Sequence, residues 1–129
     1  MTMKKLIFVL VIAVSIAACK KTKFDPEGPT DVRVKNLYTV ALTDVVVNTS
    51  GGTNSMGSVL PNGVSEYFRF DKAFNIAEIS AKINGVQFST GTVDYNALTY
   101  IGQAKITYEV TVEGNKLKIT NCSLDAPLD

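Results

Sequence analysis

The sequence of 129 residues contains no histidine and no tryptophan, and it has two cysteines. Without histidine it can form no Ser-His-Asp or Cys-His arrangement and no His-ligated zinc site, which excludes most familiar enzyme mechanisms. Because the formal net charge is only +1, its electric field is too weak to attract DNA or RNA. We therefore expect no catalytic residue, no metal site, no soluble cofactor and no nucleic-acid partner.

Hydrophobic residues are concentrated near the start of the chain. Residues 6–18 include one polar side chain, Ser15, and they follow Lys4 and Lys5. A basic start and an apolar stretch of this length are typical of a secretory signal peptide, because a membrane-spanning helix needs about 20 apolar residues. We predict that residues 1–18 are a signal peptide that is cleaved.

The apolar stretch ends in Ile16, Ala17 and Ala18, followed by Cys19. An aliphatic residue and two small residues before a cysteine resemble the lipobox of bacterial lipoprotein precursors. The resemblance implies cleavage before Cys19 and a covalent lipid on Cys19 that anchors the protein, since two or more acyl chains hold a protein stably in a membrane. The alternative is an ordinary secreted protein that is cut near Ala18 and in which Cys19 has no role.

Residues 19–30 are rich in proline, glycine and charge, a composition that predicts an extended tether. Cys19 is followed by Lys20, and not by the acidic stretch that directs lipoproteins to the cell surface in some Gram-negative bacteria, or by the Asp that retains them at the inner membrane in others. We therefore expect the protein in the cell envelope, on the periplasmic face of the outer membrane. If Cys19 carries lipid, Cys122 has no disulfide partner and is expected to be a small buried filler.

Residues 31–129 alternate between apolar and polar side chains, and no segment shows a sustained helical period. This region is therefore predicted to be a single all-β domain. Its seven predicted strands cover residues 31–36, 42–49, 64–70, 74–83, 86–90, 103–113 and 116–121. Seven short strands indicate an antiparallel β-sandwich of the immunoglobulin-like kind. Because the Cys-Trp-Cys set of that fold is missing, a transthyretin-like sandwich or a small barrel stays open.

Two dipeptides, Asn84-Gly85 and Gly114-Asn115, predict tight β-hairpins because glycine and asparagine adopt the positive φ that such turns need. In both hairpins the predicted register places apolar residues opposite each other on one face. These pairs are Ile83 with Val86, Ala81 with Phe88, Val112 with Leu117 and Val110 with Ile119. The same alternation points Tyr108 into the core, where we expect its hydroxyl to bond a loop backbone.

Residues 48–58 read N-T-S-G-G-T-N-S-M-G-S and predict a long polar loop between two strands. A phosphate-binding loop would also need a lysine and a Ser or Thr that open a helix, and neither is present. Because function concentrates on long loops, this segment is the best candidate for recognition. Its candidate residues are Asn48, Thr49, Ser50, Gly51, Gly52, Thr53, Asn54 and Ser55.

Two further sets of side chains invite a chemical interpretation. Glu109 and Glu113 fall on the outer face of one predicted strand, and such a pair supports glycoside hydrolysis only where burial raises one pKa. We expect both to be solvated and balanced by lysines on the neighbouring strand. Exposed tyrosines can contact carbohydrate, and the candidates are Tyr67, Tyr95 and Tyr100.

The segments V-K-N-L, D-V-V-V-N-T-S-G-G, A-K-I-N-G and I-T-Y-E-V are similar to small uncharacterised bacterial lipoproteins. The similarity supports a lipid anchor and a β domain, and it assigns no activity. We therefore expect a non-catalytic binding module that associates with a protein complex of the envelope. The alternatives are a structural or stress-related lipoprotein without a fixed partner and, less favoured, a carbohydrate-contacting module or an enzyme.

Overall fold

The computed structural model describes residues 25–128. Ile16, Ala17, Ala18 and Cys19, and with them the predicted signal peptide and lipidation site, lie outside the described residues. The described part contains eight strands and a short 3-10 turn at Tyr95–Ala97. The strands are β1 (Thr30–Asn36), β2 (Leu42–Asn48), β3 (Thr53–Val59), β4 (Phe68–Phe70), β5 (Glu78–Ile83), β6 (Val86–Ser89), β7 (Ala104–Glu113) and β8 (Lys116–Pro127).

These strands form two four-stranded sheets, with the orders β4-β1-β7-β8 and β3-β2-β5-β6. We call them the first and the second sheet. Buried residues of both sheets share one hydrophobic core, so the domain is a β-sandwich. The all-β prediction is confirmed, but the predicted number of seven strands is wrong. The pairing also differs from a purely antiparallel sandwich, because β1 and β7 run parallel.

Alternation of side chains along the strands builds this core. In β1, Val32 and Val34 are fully buried, whereas Arg33 between them points to the outer face. In β7, Tyr108 is fully buried, and its hydroxyl donates a hydrogen bond to the main-chain oxygen of Phe74. This contact confirms the predicted role of Tyr108 as a core aromatic that bonds a loop backbone.

Both predicted hairpins form with the predicted register. The apolar pairs are Ile83 with Val86 and Ala81 with Phe88 in β5–β6, and Val112 with Leu117 and Val110 with Ile119 in β7–β8. Asn84 and Gly85 have φ values of 51° and 80°, as a tight hairpin turn requires. Val86 nevertheless stays 59% exposed, because β6 lies at the edge of the second sheet.

The unpredicted strand is β3, which occupies most of the segment that the sequence suggested was a loop. The connection between β2 and β3 shrinks to residues 49–52, where the Thr49 nitrogen donates to the Gly52 oxygen (3.1 Å). β3 is an edge strand, and its register against β2 is irregular. Its buried residues, Met56 and Val59, therefore lie at an odd spacing that breaks a period of two. The prediction of a long loop over residues 48–58 is wrong for this reason.

Both ends of the described chain lie at one end of the sandwich, which we call the proximal end. The side chain of Gln103 donates to the main-chain oxygen of Asp25 (3.0 Å), and the Leu128 nitrogen lies 3.4 Å from the Gln103 oxygen. Residues 25–29, predicted as part of an extended tether, therefore lie against the domain, and Gly28 is buried. Within residues 25–128, no helix combines the length and the hydrophobicity needed to cross a membrane.

The opposite end of the sandwich, the distal end, carries the connection after β1 and the connection before β4. The Asn62 nitrogen donates to the Asn36 oxygen (2.7 Å), which holds these two connections together. Three exposed apolar side chains belong to this end, namely Leu37, Leu60 and Val64. The two ends of the domain therefore differ, since only the proximal end meets the N-terminal part of the chain.

Candidate functional site

The outer face of the first sheet carries a linked group of polar side chains. The register places Arg33 of β1 beside Thr107 of β7, and Thr107 beside Ser123 of β8. Tyr67 directly precedes β4, whose first residue, Phe68, is paired with Val32. A row of outward-facing side chains thus runs from the residue before β4 across β1, β7 and β8.

A β-bulge brings an aspartate into this row. The register between β7 and β8 shifts at residues 105 and 106, and Asp125 is the unpaired residue at that point. Its carboxylate accepts hydrogen bonds from the Tyr67 hydroxyl (2.8 Å), from the Thr107 hydroxyl and from the Ser123 hydroxyl (3.3 Å). We call Arg33, Tyr67, Thr107, Ser123 and Asp125 the outer-face cluster.

Arg33 is held in this cluster by two kinds of contact. Its Nε donates to the Thr107 hydroxyl (2.8 Å) and lies 3.8 Å from the Asp125 carboxylate. Its guanidinium carbon lies 4.8 Å from the centre of the Tyr67 ring, and the Lys105 ammonium lies 5.6 Å from the same centre. The ring is therefore flanked by cations at distances at which cation–π attraction is significant.

The cluster shifts the protonation equilibria of its own members. Burial by itself would raise the pKa of the Asp125 carboxyl, but the hydrogen bonds from Thr107 and Tyr67 and the charge of Arg33 outweigh it and lower that pKa. Burial and the bond to Asp125 raise the pKa of the Tyr67 hydroxyl. Both pKa shifts favour an ionised Asp125 carboxylate that accepts a hydrogen bond from the protonated Tyr67 hydroxyl.

We expect Asp125→Asn to destabilise the domain in a pH-dependent way. A carboxyl group with a lowered folded-state pKa stabilises the fold above its ordinary pKa of about 4, and it loses that contribution as the pH falls through the lower folded-state value. The partly exposed pair should contribute at most about 1 kcal/mol. Urea denaturation at a series of pH values should show the stabilities of wild type and variant beginning to converge as the pH falls below about 4, and meeting only below the lowered folded-state pKa of Asp125.

The matched control for this experiment is Asp44→Asn. The Asp44 side chain is 74% exposed and lies 3.6 Å from the Lys82 ammonium. An exposed ion pair of this kind contributes little to stability, so the control should track wild type at every pH. A difference between wild type and the Asp125 variant that stays constant from neutral to acid pH would contradict the role assigned to the carboxylate.

A second arginine on the same face, Arg69, has a different hydrogen-bond partner from Arg33. Arg69 of β4 donates from Nε and Nη2 to the two carboxylate oxygens of Asp31, at 2.8 Å and 3.2 Å. This two-point geometry raises the pKa of Arg69 through the hydrogen bond to Asp31. Nε and Nη2 of Arg69 thus bond Asp31, whereas Arg33 contacts Asp125 and Thr107 through Nε.

The predicted recognition residues do not form one loop. Thr49 is fully buried and donates to the Lys72 oxygen (2.7 Å), and Asn48 accepts a hydrogen bond from the Ser50 nitrogen (2.9 Å). Ser50 and Gly51 line an open cleft of about 760 Å³ at the proximal end. The remaining residues divide between the turn and β3, and they are Gly52, Thr53, Asn54 and Ser55.

The acidic and aromatic candidates are also separated. Glu113 pairs with Lys118 (2.8 Å), as part of the solvated face that the sequence predicts. Glu109, the other member of the predicted pair, is paired in register with Lys35 of β1. A further carboxylate, that of Glu78, accepts a hydrogen bond from the Val93 nitrogen (3.0 Å), which gives it a structural role. The Tyr95 hydroxyl forms hydrogen bonds with main-chain groups of β2 and β5, whereas Tyr100 is 45% exposed. Across residues 25–128, His, Cys, Asp and Glu form no group able to hold a metal ion.

Cys122 is half-buried, and burial raises the pKa of its thiol to about 11. The thiol is therefore protonated at neutral pH and is a poor nucleophile. This environment agrees with the predicted role of a small filler beside the core.

Comparisons with known proteins add information about the fold. No family model and no curated protein matches the sequence. The NMR structure of a protein from Eubacterium rectale is similar to this chain, with a TM-score of 0.54 and 12% sequence identity, over 81% of this chain and 100% of that one. At this identity the likeness concerns the fold alone, and it is consistent with a two-sheet β-sandwich.

Proposed function

We propose that this protein is a lipid-anchored lipoprotein of the bacterial cell envelope and acts there as a non-catalytic interaction module. The sequence Ile16-Ala17-Ala18-Cys19 carries the proposed anchor, and the position of the N-terminal segment indicates how the anchor would orient the domain. Residues 25–29 meet the domain at its proximal end, and the roughly six residues from Cys19 to Asp25 can span about 20 Å at most. A lipid on Cys19 would thus hold the proximal end near the bilayer.

This orientation leaves the distal end and the outer faces of the two sheets free for partners. Under the proposal, the domain stands on the periplasmic face of the outer membrane and associates with a protein complex of the envelope. The open cleft beside Ser50 and Gly51 would face the membrane. The predicted recognition segment is therefore less suited to a periplasmic partner than the surfaces farther from the anchor.

The absence of catalysis is part of the proposal and is supported by the side chains described above. Glu78 is engaged by a backbone nitrogen, and Asp125 is engaged by three hydroxyl groups. The pKa of the Asp125 carboxyl is lowered, whereas a general acid at neutral pH needs a raised one. Affinity purification from detergent-solubilised membranes tests the interaction role, and recovery of this protein alone would favour a lipoprotein without a fixed partner.

Of the two sandwich types that the sequence leaves open, we propose the transthyretin-like one. An immunoglobulin constant-type domain has seven strands, with A, B, E and D in one sheet and C, F and G in the other. The present domain has eight strands, divided equally, and its first sheet combines β1 with β4, β7 and β8. That order differs from the immunoglobulin arrangement and supports the alternative.

The decisive variant for the anchor is Cys19→Ala in the full-length precursor. We expect wild type to sediment with membranes and the variant to lose most of this association, because no acyl chain can be attached at position 19. Mass spectrometry of the mature N-terminus should find the lipid on Cys19. Cys122→Ala is the matched control, since it removes the other cysteine and should leave membrane association unchanged. An unmodified Cys19 in the membrane fraction would refute the proposal.

A further inference from the structure

We propose that Arg33, on the outer face of the first sheet, binds the carboxylate of an acidic saccharide. The inference rests on the proposed function as a binding module of the envelope, and it specifies a site and a ligand class for that module. Two observations support it. Contacts hold the guanidinium of Arg33 in place, and its terminal nitrogens donate no hydrogen bond within residues 25–128.

The guanidinium of Arg33 is oriented from one side. Its Nε donates to Thr107, and its carbon stacks against the Tyr67 ring at 4.8 Å. Within residues 25–128, the terminal nitrogens of Arg33 donate no hydrogen bond, and the side chain is 31% exposed. Because the planar guanidinium is already oriented, Arg33 loses little conformational freedom when it binds a carboxylate through two parallel hydrogen bonds.

Neighbouring charges on the sheet also favour an anion at this position. The Lys105 ammonium lies near the same tyrosine ring, and Lys35 is the next outward residue along β1. Four acidic residues share the outer face of the first sheet. Asp125 contacts Arg33 at Nε, and Asp31 is bonded by Arg69. Glu109 is paired in register with Lys35, and Glu113 forms an ion pair with Lys118. The two aspartates are thus held by groups other than the terminal nitrogens of Arg33.

The character of the surface favours a saccharide over a protein partner. Protein interfaces usually contain a buried apolar centre. Among the described residues of the first sheet, Leu124 of β8 is an exposed large hydrophobic residue, but it is paired with the buried Ile106 and so belongs to the opposite face from Arg33. The outward positions around Arg33 instead carry hydroxyl and charged groups, with the partly exposed ring of Tyr67 beside them. Hydroxyl-bonding groups next to an aromatic ring suit the polar edges and apolar faces of a sugar.

The test measures binding to the mature, detergent-solubilised lipoprotein by titration calorimetry. The probes are a short oligomer of galacturonic acid, a neutral galactose oligomer of equal length, and acetate as the carboxylate alone. We expect the acidic oligomer to bind, and the neutral oligomer and acetate to bind far more weakly. Equal binding of the neutral oligomer, or equal binding of acetate, would overturn the assignment to an acidic saccharide.

Variants then locate the site. Arg33→Gln should weaken binding of the acidic oligomer by about 10- to 100-fold, which is the usual effect of losing hydrogen bonds to a charged group. Arg33→Lys should restore binding only in part, because an ammonium cannot make the two-point contact. Arg69→Gln is the matched control, since it removes an arginine of the same face that is committed to Asp31. It should leave binding unchanged.

The binding site and the lipid anchor are tested by separate measurements. Circular dichroism and thermal unfolding establish that every variant is folded, and membrane fractionation establishes whether Cys19 still anchors it. Unchanged binding in a folded Arg33→Gln variant would overturn the site, even where the anchor is intact. Loss of the anchor with Arg33-dependent binding retained would overturn the envelope location and leave the site standing.

Discussion

Replacing Asn36 with alanine is expected to lower the free energy of unfolding by about 3 kcal/mol. Asn36 is fully buried at the end of β1, and its side-chain nitrogen donates to the main-chain oxygens of Val40 (2.9 Å) and Val59 (3.1 Å). Its side-chain oxygen accepts a hydrogen bond from the Tyr38 nitrogen (2.8 Å). Alanine would leave three main-chain groups without these partners, and burial makes each loss costly.

Two comparison variants make this expectation specific. Asn36→Asp keeps the acceptor for Tyr38 but removes both donors, so we expect a loss of stability at least as large as that of alanine. Asn48→Ala is the matched control, because its side chain makes one exposed hydrogen bond, to the Ser50 nitrogen. Urea denaturation should show a small effect for the control. A loss of less than about 1 kcal/mol for Asn36→Ala would contradict the bridging role.

The structural role of Asn36 could not be predicted from the sequence. In the sequence, Asn36 is one polar residue near the end of a predicted strand, and asparagine there usually indicates a turn. The role of Asn36 depends on β3, whose residue Val59 provides one of the two acceptors. Because the irregular register of β3 removes its alternation, the partner was not predicted as a strand. A buried polar bridge therefore becomes visible only when both strands are known.

The elements that were predicted correctly are those with local causes. The hairpins at Asn84-Gly85 and Gly114-Asn115 follow from turn residues and from alternation on both sides of each turn. The parallel pairing of β1 with β7 has no local signal, since it joins segments from opposite ends of the domain. Sequence patterns therefore predict pairings between strands that are close along the chain, and they do not predict pairings between distant strands.

The outer-face cluster was not predicted for the same reason. Tyr67 was predicted as an exposed aromatic, but nothing in the sequence connects it with Arg33 or Asp125. Arg33 and Tyr67 meet because β4 pairs with β1, and Asp125 joins them because β8 has a bulge at that position. Thr120 is a second unpaired residue of β8, so alternation counted from the Gly114-Asn115 turn would have assigned Asp125 to the core face. The predicted recognition loop, in contrast, had a clear compositional signal and became mostly strand.

Tyr108→Ala is expected to lower the free energy of unfolding by about 4 kcal/mol, the range typical of a buried aromatic replaced by alanine. Tyr108 lies in β7, in the middle of the first sheet, and it is fully buried. Its hydroxyl bonds the Phe74 oxygen in the connection between β4 and β5. The side chain therefore fills core volume and also ties the connecting segment to the first sheet.

A second variant separates these two contributions. Tyr108→Phe keeps the ring and removes only the hydroxyl, so we expect a loss of about 1 to 2 kcal/mol from the unpaired Phe74 oxygen. Tyr100→Ala is the matched control, because this tyrosine is 45% exposed and should contribute little. If Tyr108→Phe were as stable as wild type, the hydroxyl would have no structural role. The connecting segment would then depend on packing alone, chiefly that of the Phe74 ring against Tyr95, whose ring centres lie 5.0 Å apart.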